Sequence, residues 1–232
     1  MQKLSIIIPV YNEEKTLLHV LNKIKLIKKK CELELIIVND GSTDASKEII
    51  ETNKKLFNKA IHLTKNSGKG KAVIEGIKNC TYDYILIQDA DLEYDPKDIL
   101  VFLEENKNYN YDLIMGSRFI GTRRSVLHFW HMIGNKFITF LFNFLNNTTF
   151  TDIYCCYCMF KRELIEVKNL KCNNWGQQAE ILTYLINKNS KIYEIGVSYH
   201  GRTYKEGKKI RYYDVFSVIY WIISTKIKKF FL

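Results

Sequence analysis

The sequence predicts a doubly wound α/β fold, in which a mostly parallel central sheet carries helices on both faces. Short β-branched runs alternate with amphipathic stretches through the first half of the chain. The strand-like runs are apolar at successive positions, as strands buried on both faces are, and polar clusters end them. Because each intervening helix carries the chain back across the sheet, strands that alternate with helices pair in parallel.

The elements of the first half follow from spacing and capping signals. Leu17, Leu21 and Ile24 recur at helical spacing in the first amphipathic stretch. Ser42 or Asp44 can cap the next helix, and Pro96 suits the first turn of a later one. The predicted strands cover residues 4–10, 33–38, 60–63, 84–88 and 113–115, and the predicted helices cover residues 13–28, 42–57, 69–79 and 96–105.

The pattern changes after Arg118. A helix over residues 130–145, apolar on most sides, precedes a strand near Met159 and Phe160. A helix over residues 178–187 and a strand over residues 191–195 follow, and the last 30 residues are basic and aromatic. No Pro-rich or Gly-rich linker separates the two halves, so we expect a single domain over residues 1–232.

The composition is that of a folded protein with excess positive charge. Of 232 residues, 47% are hydrophobic and 26% are charged, and the formal net charge is +10. These values exclude a disordered or fibrous chain. No stretch offers the roughly 20 apolar residues of a membrane-spanning helix. We therefore expect a cytoplasmic protein that is soluble or peripheral to the membrane.

The six cysteines lack the paired C-x-x-C spacing of a zinc site. We interpret them as small buried hydrophobic residues in a reducing compartment. A metal or redox role remains open for one cluster, which contains Cys155, Cys156 and Cys158.

Polar clusters follow three predicted strands, at residues 9–13, 39–42 and 88–91. Ligands of open parallel sheets bind beyond the carboxyl ends of the strands. We therefore expect these clusters to form one ligand site at one edge of the sheet.

Asp89 and Asp91 carry the sharpest chemical signal at this edge. Two carboxylates at alternate positions just past a strand point to one side, which suits a divalent cation shared with a diphosphate. The cation would relieve their mutual repulsion and act as a Lewis acid on the leaving phosphate. The alternative is a solvated loop, because further acidic residues follow. Asp40, in Asp-Gly-Ser, has a comparable alternative in which its carboxylate bonds a turn.

The segment KNSGKGKA at residues 65–72 resembles a phosphate loop only superficially, because it lacks the G-x-x-x-x-G-K-[ST] spacing. Its glycines fit the start of a helix as well as a close approach of the backbone to a ligand.

Two sets of basic residues carry much of the excess charge: Arg118, Arg123 and Arg124 form one, and Arg202, Lys205, Lys208, Lys209 and Arg211 form the other. Such runs are often solvated faces, but Arg is well suited to bidentate phosphate binding. Interleaved tyrosines also allow binding of a single-stranded nucleic acid. No RNA-binding motif supports that reading, and we expect no nucleic-acid partner.

These motifs together resemble family 2 glycosyltransferases. The likeness extends from residue 4 to about residue 213, and its motifs follow in the family's order: SIIIPVYNEE, VNDGSTD, KNSGKGKA, QDADLEYDP, GSRF, GNKFITFLFN, TDIYCCYCMFKRE and YHGRTYKEGKKI. The first four are shared by the wider family. GRTYKEGKKI points to the dolichyl-phosphate mannose synthase-like and bacterial polyprenyl-phosphate glycosyltransferase branch.

The resemblance implies a GT-A nucleotide-sugar fold and an inverting, metal-dependent transfer to polyprenyl or dolichyl phosphate from a nucleoside diphosphate sugar, GDP-mannose or a UDP-sugar. It implies a nucleotide-sugar-binding half (1–118), an acceptor half (119–213) and a basic amphipathic tail (214–232). The implied site residues are Pro9, Tyr11, Glu13, Asp40, Asp89 and Ala90 for the donor; Asp89, Asp91 and Glu93 for Mg²⁺ or Mn²⁺; and Asp91, Arg118, Arg202, Lys208 and Glu180 for catalysis.

Three positions depart from the family's pattern. Relatives of the synthase type often have Gln where Glu93 stands, and bacterial relatives commonly have Glu and Lys where Tyr154 and Cys158 stand. The last two departures concern the acceptor or the sugar and leave the donor site intact.

Two mechanisms are open for the acceptor. A polyprenyl phosphate is already largely dianionic at neutral pH and needs no general base, so Arg202, Lys208 and Lys209 would hold it. A sugar hydroxyl, as in cell-surface polysaccharide synthesis, needs a base, for which Glu180 or Asp152 is the candidate. A non-catalytic binding or scaffold protein is a third possibility, which the intact acidic and basic motifs disfavour.

The expected membrane contact rests on two segments. The helix with Phe137, Phe140 and Phe144 and the tail at residues 216–232 combine aromatic residues with Lys, as interfacial helices do. The alternative is ordinary packing of both helices in the core. We expect peripheral association with the cytoplasmic face of the membrane, where anionic lipids attract cationic residues.

Overall fold

The computed structural model describes residues 3–28, 31–121, 129–202, 209 and 214–231. The strands in these residues are β1 (Lys3–Val10), β2 (Glu32–Asn39), β3 (Lys59–His62), β4 (Tyr84–Ile87), β5 (Leu113–Ser117), β6 (Cys158–Lys161) and β7 (Ile192–Gly196). The helices are α1 (Leu17–Lys28), α2 (Ser46–Thr52), α3 (Lys69–Asn79), α4 (Ile99–Tyr109), α5 (Phe129–Asn146), α6 (Gln177–Leu185) and α7 (Asp214–Phe230).

The strands form one sheet in the order β3-β2-β1-β4-β6-β5-β7. β1 to β4 are mutually parallel where they pair, β7 is parallel to β5, and β6 is antiparallel to both of its neighbours. The predicted α/β sheet, mostly parallel, is therefore confirmed. The alternation of strands and helices did not predict the direction of β6. The connection from β5 to β6 begins and ends at the same edge of the sheet, so β6 runs back.

β1 is the centre of the core. It pairs with β2 from Lys3 to Val10 and with β4 on its other side. Its residues Ile6, Ile7 and Ile8 are fully buried, because helices cover both faces of the sheet here. This burial explains the continuous apolar run in the sequence.

The predicted helix over residues 42–57 begins later than expected because its first polar residues bond the loop after β1. The hydroxyl of Ser42 accepts a hydrogen bond from the backbone N–H of Asn12, at 3.1 Å. Asp44 accepts hydrogen bonds from the backbone N–H groups of Glu14 and Ser46. α2 therefore begins only at Ser46 and is followed by a short 3₁₀ turn, Lys54–Leu56. The predicted helix over residues 13–28 likewise begins at Leu17.

α5 and α7 pack against each other and leave large apolar side chains on the surface. We call this set the aromatic face; its members are Phe129, Trp130, Ile133, Phe137, Phe140 and Phe144 from α5, and Phe216, Tyr220, Ile223, Ile227, Phe230 and Phe231 from α7 and the residue after it. Among the described helices, none has the length and apolar character needed to cross a membrane.

Candidate active site

A cavity of about 620 Å³ opens at the carboxyl edge of the sheet. The polar clusters that follow β1, β2 and β4 meet in its wall, because these three strands are parallel neighbours. Seven residues of these clusters that the sequence assigns to the donor or the metal line the cavity: Pro9, Tyr11, Glu13, Asp40, Asp89, Ala90 and Asp91.

Asp40 links the second cluster to the glycine-rich segment before α3. Its carboxylate accepts hydrogen bonds from the backbone N–H groups of Ser67 (2.8 Å) and Gly68 (2.9 Å). Burial raises the pKa of Asp40, while the two hydrogen bonds act in the opposite direction. Gly68 has a φ of +97°, and a Cβ there would lie 2.3 Å from the carbonyl oxygen of Asn173. The glycine therefore allows the tight approach that brings Lys69 to the cavity wall.

Lys69, the first residue of α3, is a site residue that the sequence did not single out. Its Nζ lies 2.6 Å from Oδ1 of Asp89. Burial by itself lowers the pKa of Lys69, but Asp89, together with Cys156, raises it overall. Burial also raises the pKa of the neighbouring Cys156 thiol to about 11, which keeps the thiol protonated at neutral pH. The available signal was a Lys between two glycines beside the predicted ligand edge.

The guanidinium of Arg202 joins the first and third clusters. Its Nη1 and Nη2 lie 3.0 and 3.2 Å from the carboxylate oxygens of Glu13, and Nη2 lies 2.9 Å from Oδ2 of Asp91. Lys209 adds a second cation at Glu13, with Nζ 2.6 Å from Oε1, and also contacts the carbonyl oxygen of Tyr11. Basic residues distant in the sequence thus lie directly against the acidic cavity wall.

Glu93 holds the segment that carries Arg202. Its Oε1 accepts a hydrogen bond from the backbone N–H of Arg202 (2.8 Å), and its Oε2 accepts one from the hydroxyl of Tyr199 (3.0 Å). The backbone N–H of His200 donates to its carbonyl oxygen. The described part of the chain contains no group of three or more His, Cys, Asp or Glu side chains arranged to hold a metal. In this structure Glu93, which the resemblance implies as a third metal ligand, bonds Tyr199 and the backbone of Arg202.

Asp89 and Asp91 suit a divalent cation that takes further oxygen ligands from elsewhere. Burial, followed by the charges of Asp89 and Glu93, raises the pKa of Asp91 to about 7 despite Arg202. A cation beside Asp91 would favour its ionised form. Mg²⁺ and Mn²⁺ prefer oxygen ligands, and Mg²⁺ commonly takes one or two carboxylates with phosphates and water. The two carboxylates on the cavity wall fit such an ion.

Arg118 lines the cavity at the end of β5 and is held by Asp152. Its Nε and Nη2 lie 2.7 and 2.8 Å from the two carboxylate oxygens of Asp152, which is fully buried. Its guanidinium also lies over the ring of Tyr199, 5.2 Å from the centroid. Asp152, considered as a base for a hydroxyl acceptor, is thus occupied by Arg118.

Glu180 does not reach the cavity. It is buried in α6, and its carboxylate accepts hydrogen bonds from the backbone N–H groups of Lys171 and Cys172, both at 2.9 Å. Burial raises the pKa of Glu180 and these hydrogen bonds oppose the rise. The structure therefore does not bring Glu180 to the other predicted site residues, because its carboxylate holds the loop before α6.

The far wall of the cavity comes from helices whose role the sequence did not predict. His131, Gly134, Asn135 and Ile138 of α5 line it at spacings of three and four residues. Further lining residues come from the loop before α6 and from α7: Asn174, Trp175, Val215 and Val218. The helical spacing was visible in the sequence, but the apolar character of α5 indicated core packing or a membrane contact.

Several predicted basic residues lie outside the described part of the chain. They are the proposed catalytic Lys208 and the other members of the two basic sets, Arg123, Arg124, Lys205 and Arg211.

The sequence matches Glycosyl transferase family 2 over residues 5–167. The chain belongs to this family. An uncharacterized protein of Methanocaldococcus jannaschii is 30% identical in a 219-residue alignment that covers 88% of this chain and 93% of that protein. Two undecaprenyl-phosphate 4-deoxy-4-formamido-L-arabinose transferases, from Photorhabdus laumondii and Proteus mirabilis, are 29% and 30% identical over 89% of this chain. The aligned regions span 63% and 62% of those two proteins.

Solved glycosyltransferase structures have the same fold as this family 2 member. Mycobacterium tuberculosis glucosyl-3-phosphoglycerate synthase, in complex with Mn²⁺, uridine diphosphate and phosphoglyceric acid, has a TM-score of 0.71 and 17% identity over 97% of this chain and 78% of that chain. S. aureus TarS 1–349 in complex with UDP-GlcNAc has a TM-score of 0.62 and 18% identity over 97% of this chain and 66% of that chain. The fold is GT-A, and the family assignment identifies the protein as a glycosyltransferase.

Proposed function

We propose that this family 2 glycosyltransferase transfers a sugar, with inversion, from a nucleoside diphosphate sugar to the phosphate of a polyprenyl phosphate. The donor, GDP-mannose or a UDP-sugar, would bind at the clusters after β1 and β2, where Pro9, Tyr11, Glu13 and Asp40 line the cavity. Its diphosphate would lie at the third cluster, beside Asp89, Ala90 and Asp91.

One observation carries the choice of acceptor: each carboxylate on the described cavity wall already has a hydrogen-bonding or ionic partner. The five are Glu13, Asp40, Asp89, Asp91 and Glu93. A sugar hydroxyl needs a general base to become a good nucleophile. A phosphate monoester, with a second pKa of about 6, is largely dianionic at neutral pH and needs none.

Transfer to a phosphate sets a particular task for the protein. An oxygen of the acceptor phosphate attacks the anomeric carbon, the bond from that carbon to the diphosphate oxygen breaks, and the nucleoside diphosphate leaves with the electron pair. No proton has to move to or from the protein. The chain must instead hold two anionic phosphate groups close together, which preorganised cations favour. Lys69, Arg118, Arg202 and Lys209 line the cavity and can serve this purpose, and Lys208 remains a predicted fifth cation.

Asp89 and Asp91 would hold Mg²⁺ or Mn²⁺, which when bound supplies positive charge that stabilises the leaving diphosphate. The Mn²⁺ in the M. tuberculosis neighbour supports a divalent cation in this fold. Both carboxylates lie at the end of β4, on the side of the cavity assigned to the donor.

The aromatic face supports an acceptor that is carried by a membrane. α5 contributes to this face through Ile133 and Phe137 and to the cavity wall through Gly134 and Ile138. Amphipathic helices that carry Trp, Phe or Leu on one face and Lys on the other bind at the headgroup level of a bilayer. Contact through this face would place the cavity beside lipid headgroups. We therefore propose a peripheral protein at the cytoplasmic face of the membrane.

The curated relatives support the same acceptor. The proteins of P. laumondii and P. mirabilis are named as transferases that act with undecaprenyl phosphate. They are 29% and 30% identical to this chain over the 89% of it that aligns with them.

The direct test offers matched acceptors to the purified protein. The protein is incubated with Mn²⁺ or Mg²⁺, radiolabelled nucleotide sugars and either a polyprenyl phosphate or the corresponding polyprenol, which lacks the phosphate. We expect label in the lipid extract only with the phosphate, and loss of the label in Asp91→Asn. Transfer to the polyprenol or to an oligosaccharide, with none to the polyprenyl phosphate, would contradict the proposal.

His131 favours a second candidate, transfer to a sugar hydroxyl, because this residue lines the cavity and an imidazole can act as a general base. As a general base it would contribute about 10²–10⁴-fold to the rate. His131→Gln should therefore lower hydroxyl transfer by that factor, whereas phosphate transfer should change by less than about 10-fold, since it needs no base.

A further inference from the structure

Protein cations already occupy the two carboxylates at which the divalent metal is expected. Nζ of Lys69 lies 2.6 Å from Oδ1 of Asp89, and Nη2 of Arg202 lies 2.9 Å from Oδ2 of Asp91. The Lys69 and Arg202 side chains are 15% and 17% exposed. Water therefore screens both ion pairs poorly.

We propose that Lys69 and Arg202 oppose metal binding in the ligand-free protein and turn to the donor diphosphate when the metal arrives. Metal and diphosphate then bind as a mutually dependent pair. This inference rests on the proposed function, because it takes a nucleoside diphosphate sugar as the donor.

A metal ion that bound alone would meet both cations. An Mg²⁺ ion lies about 2.1 Å from a carboxylate oxygen. At Oδ2 of Asp91 or Oδ1 of Asp89 it would thus lie within about 5 Å of the nitrogen that now pairs with that oxygen. Like charges at this distance repel strongly in a poorly screened site. To avoid this repulsion, Lys69 and Arg202 must move away from these carboxylates, and a buried cation loses stability when its partner is removed.

A diphosphate that bound alone would meet an excess of carboxylates. The described cluster contains four of them, Glu13, Asp89, Asp91 and Glu93, and three cations, Lys69, Arg202 and Lys209. The diphosphate of a nucleotide sugar would add two negative charges, and repulsion would oppose its binding.

Metal and diphosphate together leave the total charge of the cluster unchanged. The metal replaces Lys69 and Arg202 as the partner of Asp89 and Asp91, and phosphate oxygens replace the carboxylates as partners of the two cations. Each charge thus keeps a partner of opposite sign. The favourable interaction between the two ligands is a coupling free energy, so each ligand must raise the affinity for the other by the same factor.

The inference predicts effects of opposite sign when one of these cations is removed. Lys69→Met should bind Mn²⁺ more tightly than the wild type in the absence of nucleotide, because the competing charge is gone. The same variant should bind nucleotide more weakly in the presence of Mn²⁺, because the phosphate has lost a partner. Arg202→Gln should behave in the same way.

Binding measurements test this without any assay of catalysis. Free Mn²⁺ is followed by electron paramagnetic resonance as the protein is titrated, alone and with UDP or GDP, and protein-free titrations correct for Mn²⁺ bound by nucleotide in solution. For the wild type we expect the nucleotide that binds to raise the Mn²⁺ affinity about 5- to 150-fold, and Mn²⁺ to raise the nucleotide affinity equally. In Lys69→Met and Arg202→Gln this factor should fall toward unity.

Lys71→Met is the matched control. Lys71 lies on the same helix as Lys69 but pairs with Glu75, at 2.8 Å, and does not line the cavity. This variant loses the same charge and should keep the wild-type affinities and coupling. Lys69→Arg retains the charge and should retain the coupling, and Lys69→Gln replaces Lys69→Met if that variant does not fold.

The outcomes separate this inference from the proposed function. If UDP or GDP binds but leaves the Mn²⁺ affinity of the wild type unchanged, the inference is wrong and the donor site stands. It is also wrong if neither cation-removing variant binds Mn²⁺ more tightly than Lys71→Met does. If no nucleotide or nucleotide sugar binds with Mn²⁺, the proposed function fails and the inference fails with it.

Discussion

Arg118 and Asp152 form a bidentate ion pair that joins the end of β5 to the segment before β6. The Arg118 side chain is 10% exposed and that of Asp152 is fully buried. Because Arg118 also lines the cavity, the stability of the fold and the positive charge of the site depend on the same contact.

Asp152→Asn should destabilise the protein strongly. The substitution removes the negative partner of a nearly buried guanidinium, and breaking such a pair costs about 3–5 kcal/mol. Urea unfolding measures this loss. Lys168→Met breaks a pair with Glu166 in which the side chains are 79% and 62% exposed, and it should change stability by less than about 1 kcal/mol. Equal effects of the two substitutions would contradict this account of Asp152.

Glu180→Gln should leave transfer to a polyprenyl phosphate active, because the Glu180 carboxylate bonds the loop before α6 and does not face the cavity. This expectation would be contradicted if Glu180→Gln lost that transfer while its melting temperature and the contacts with Lys171 and Cys172 stayed unchanged. Glu180 would then have a catalytic role.

The stability of Glu180→Gln relative to the wild type should depend on pH. Burial raises the pKa of Glu180 in the folded protein above its ordinary value of 4.5. Folding therefore favours the protonated acid, and this contribution is fully present below pH 4.5 and lost as the pH rises through the folded pKa. The free energy of unfolding of the wild type minus that of the variant should accordingly fall across this window. A difference that rises with pH would show that the hydrogen bonds to the carboxylate outweigh its burial.

Removal of apolar side chains from the aromatic face should weaken membrane binding. Phe140 and Phe144 on α5 are 67% and 76% exposed. Each full burial of a Phe is favourable by about 1.5–3 kcal/mol, so Phe140→Ser/Phe144→Ser should reduce flotation with anionic liposomes at least about 10-fold. Leu26→Ser removes an apolar side chain on α1 that is 64% exposed and should have no effect. Equal flotation of both variants would place the membrane contact elsewhere.

Gly134→Leu should impair acceptor use without loss of stability. A Cβ at Gly134 would have no neighbouring atom within 4 Å, so a leucine can extend into the cavity. Replacing a glycine inside a helix also stabilises the helix by about 0.5–1 kcal/mol. We expect a raised KM for the polyprenyl phosphate and an equal or higher melting temperature, with Gly134→Ala as the matched small substitution. If Gly134→Leu leaves the KM unchanged, this part of α5 does not contact the acceptor.

The sequence predicted the elements whose signals are local. The strand over residues 4–10 and the helix over residues 69–79 agree with β1 and α3 to within a residue, because apolar runs and glycine-marked starts act over a few positions. The start of α2 was misplaced, since Ser42 bonds the loop after β1, and Asp44 bonds both that loop and the backbone N–H of Ser46, where the helix begins. Whether a polar side chain bonds its own helix or a distant loop depends on tertiary contacts, which the local sequence does not show.

In the site, too, the sequence predicted some residues from local signals and missed the pairs that depend on tertiary contacts. The carboxyl-edge rule and the spacing of Asp89 and Asp91 predicted which residues would meet, because parallel neighbouring strands end together. The pairs Lys69–Asp89 and Arg202–Asp91 join residues that no sequence spacing relates. Glu180 illustrates the opposite case, in which an acidic residue that the family resemblance assigns to catalysis instead bonds the backbone of the loop before its helix.

The antiparallel strand β6 sets the distance between the end of β4, which Asp89 follows, and the end of β5, which Arg118 follows. It lies between these two strands in the sheet. Adjacent strands are about 4.8 Å apart, so these two strand ends are separated by roughly 10 Å. This distance is fixed by the backbone hydrogen bonds that pair β6 with β4 and with β5. We therefore expect substrates of different size to be accommodated by the residues of α5 that line the cavity, while the distance between the two strand ends stays constant.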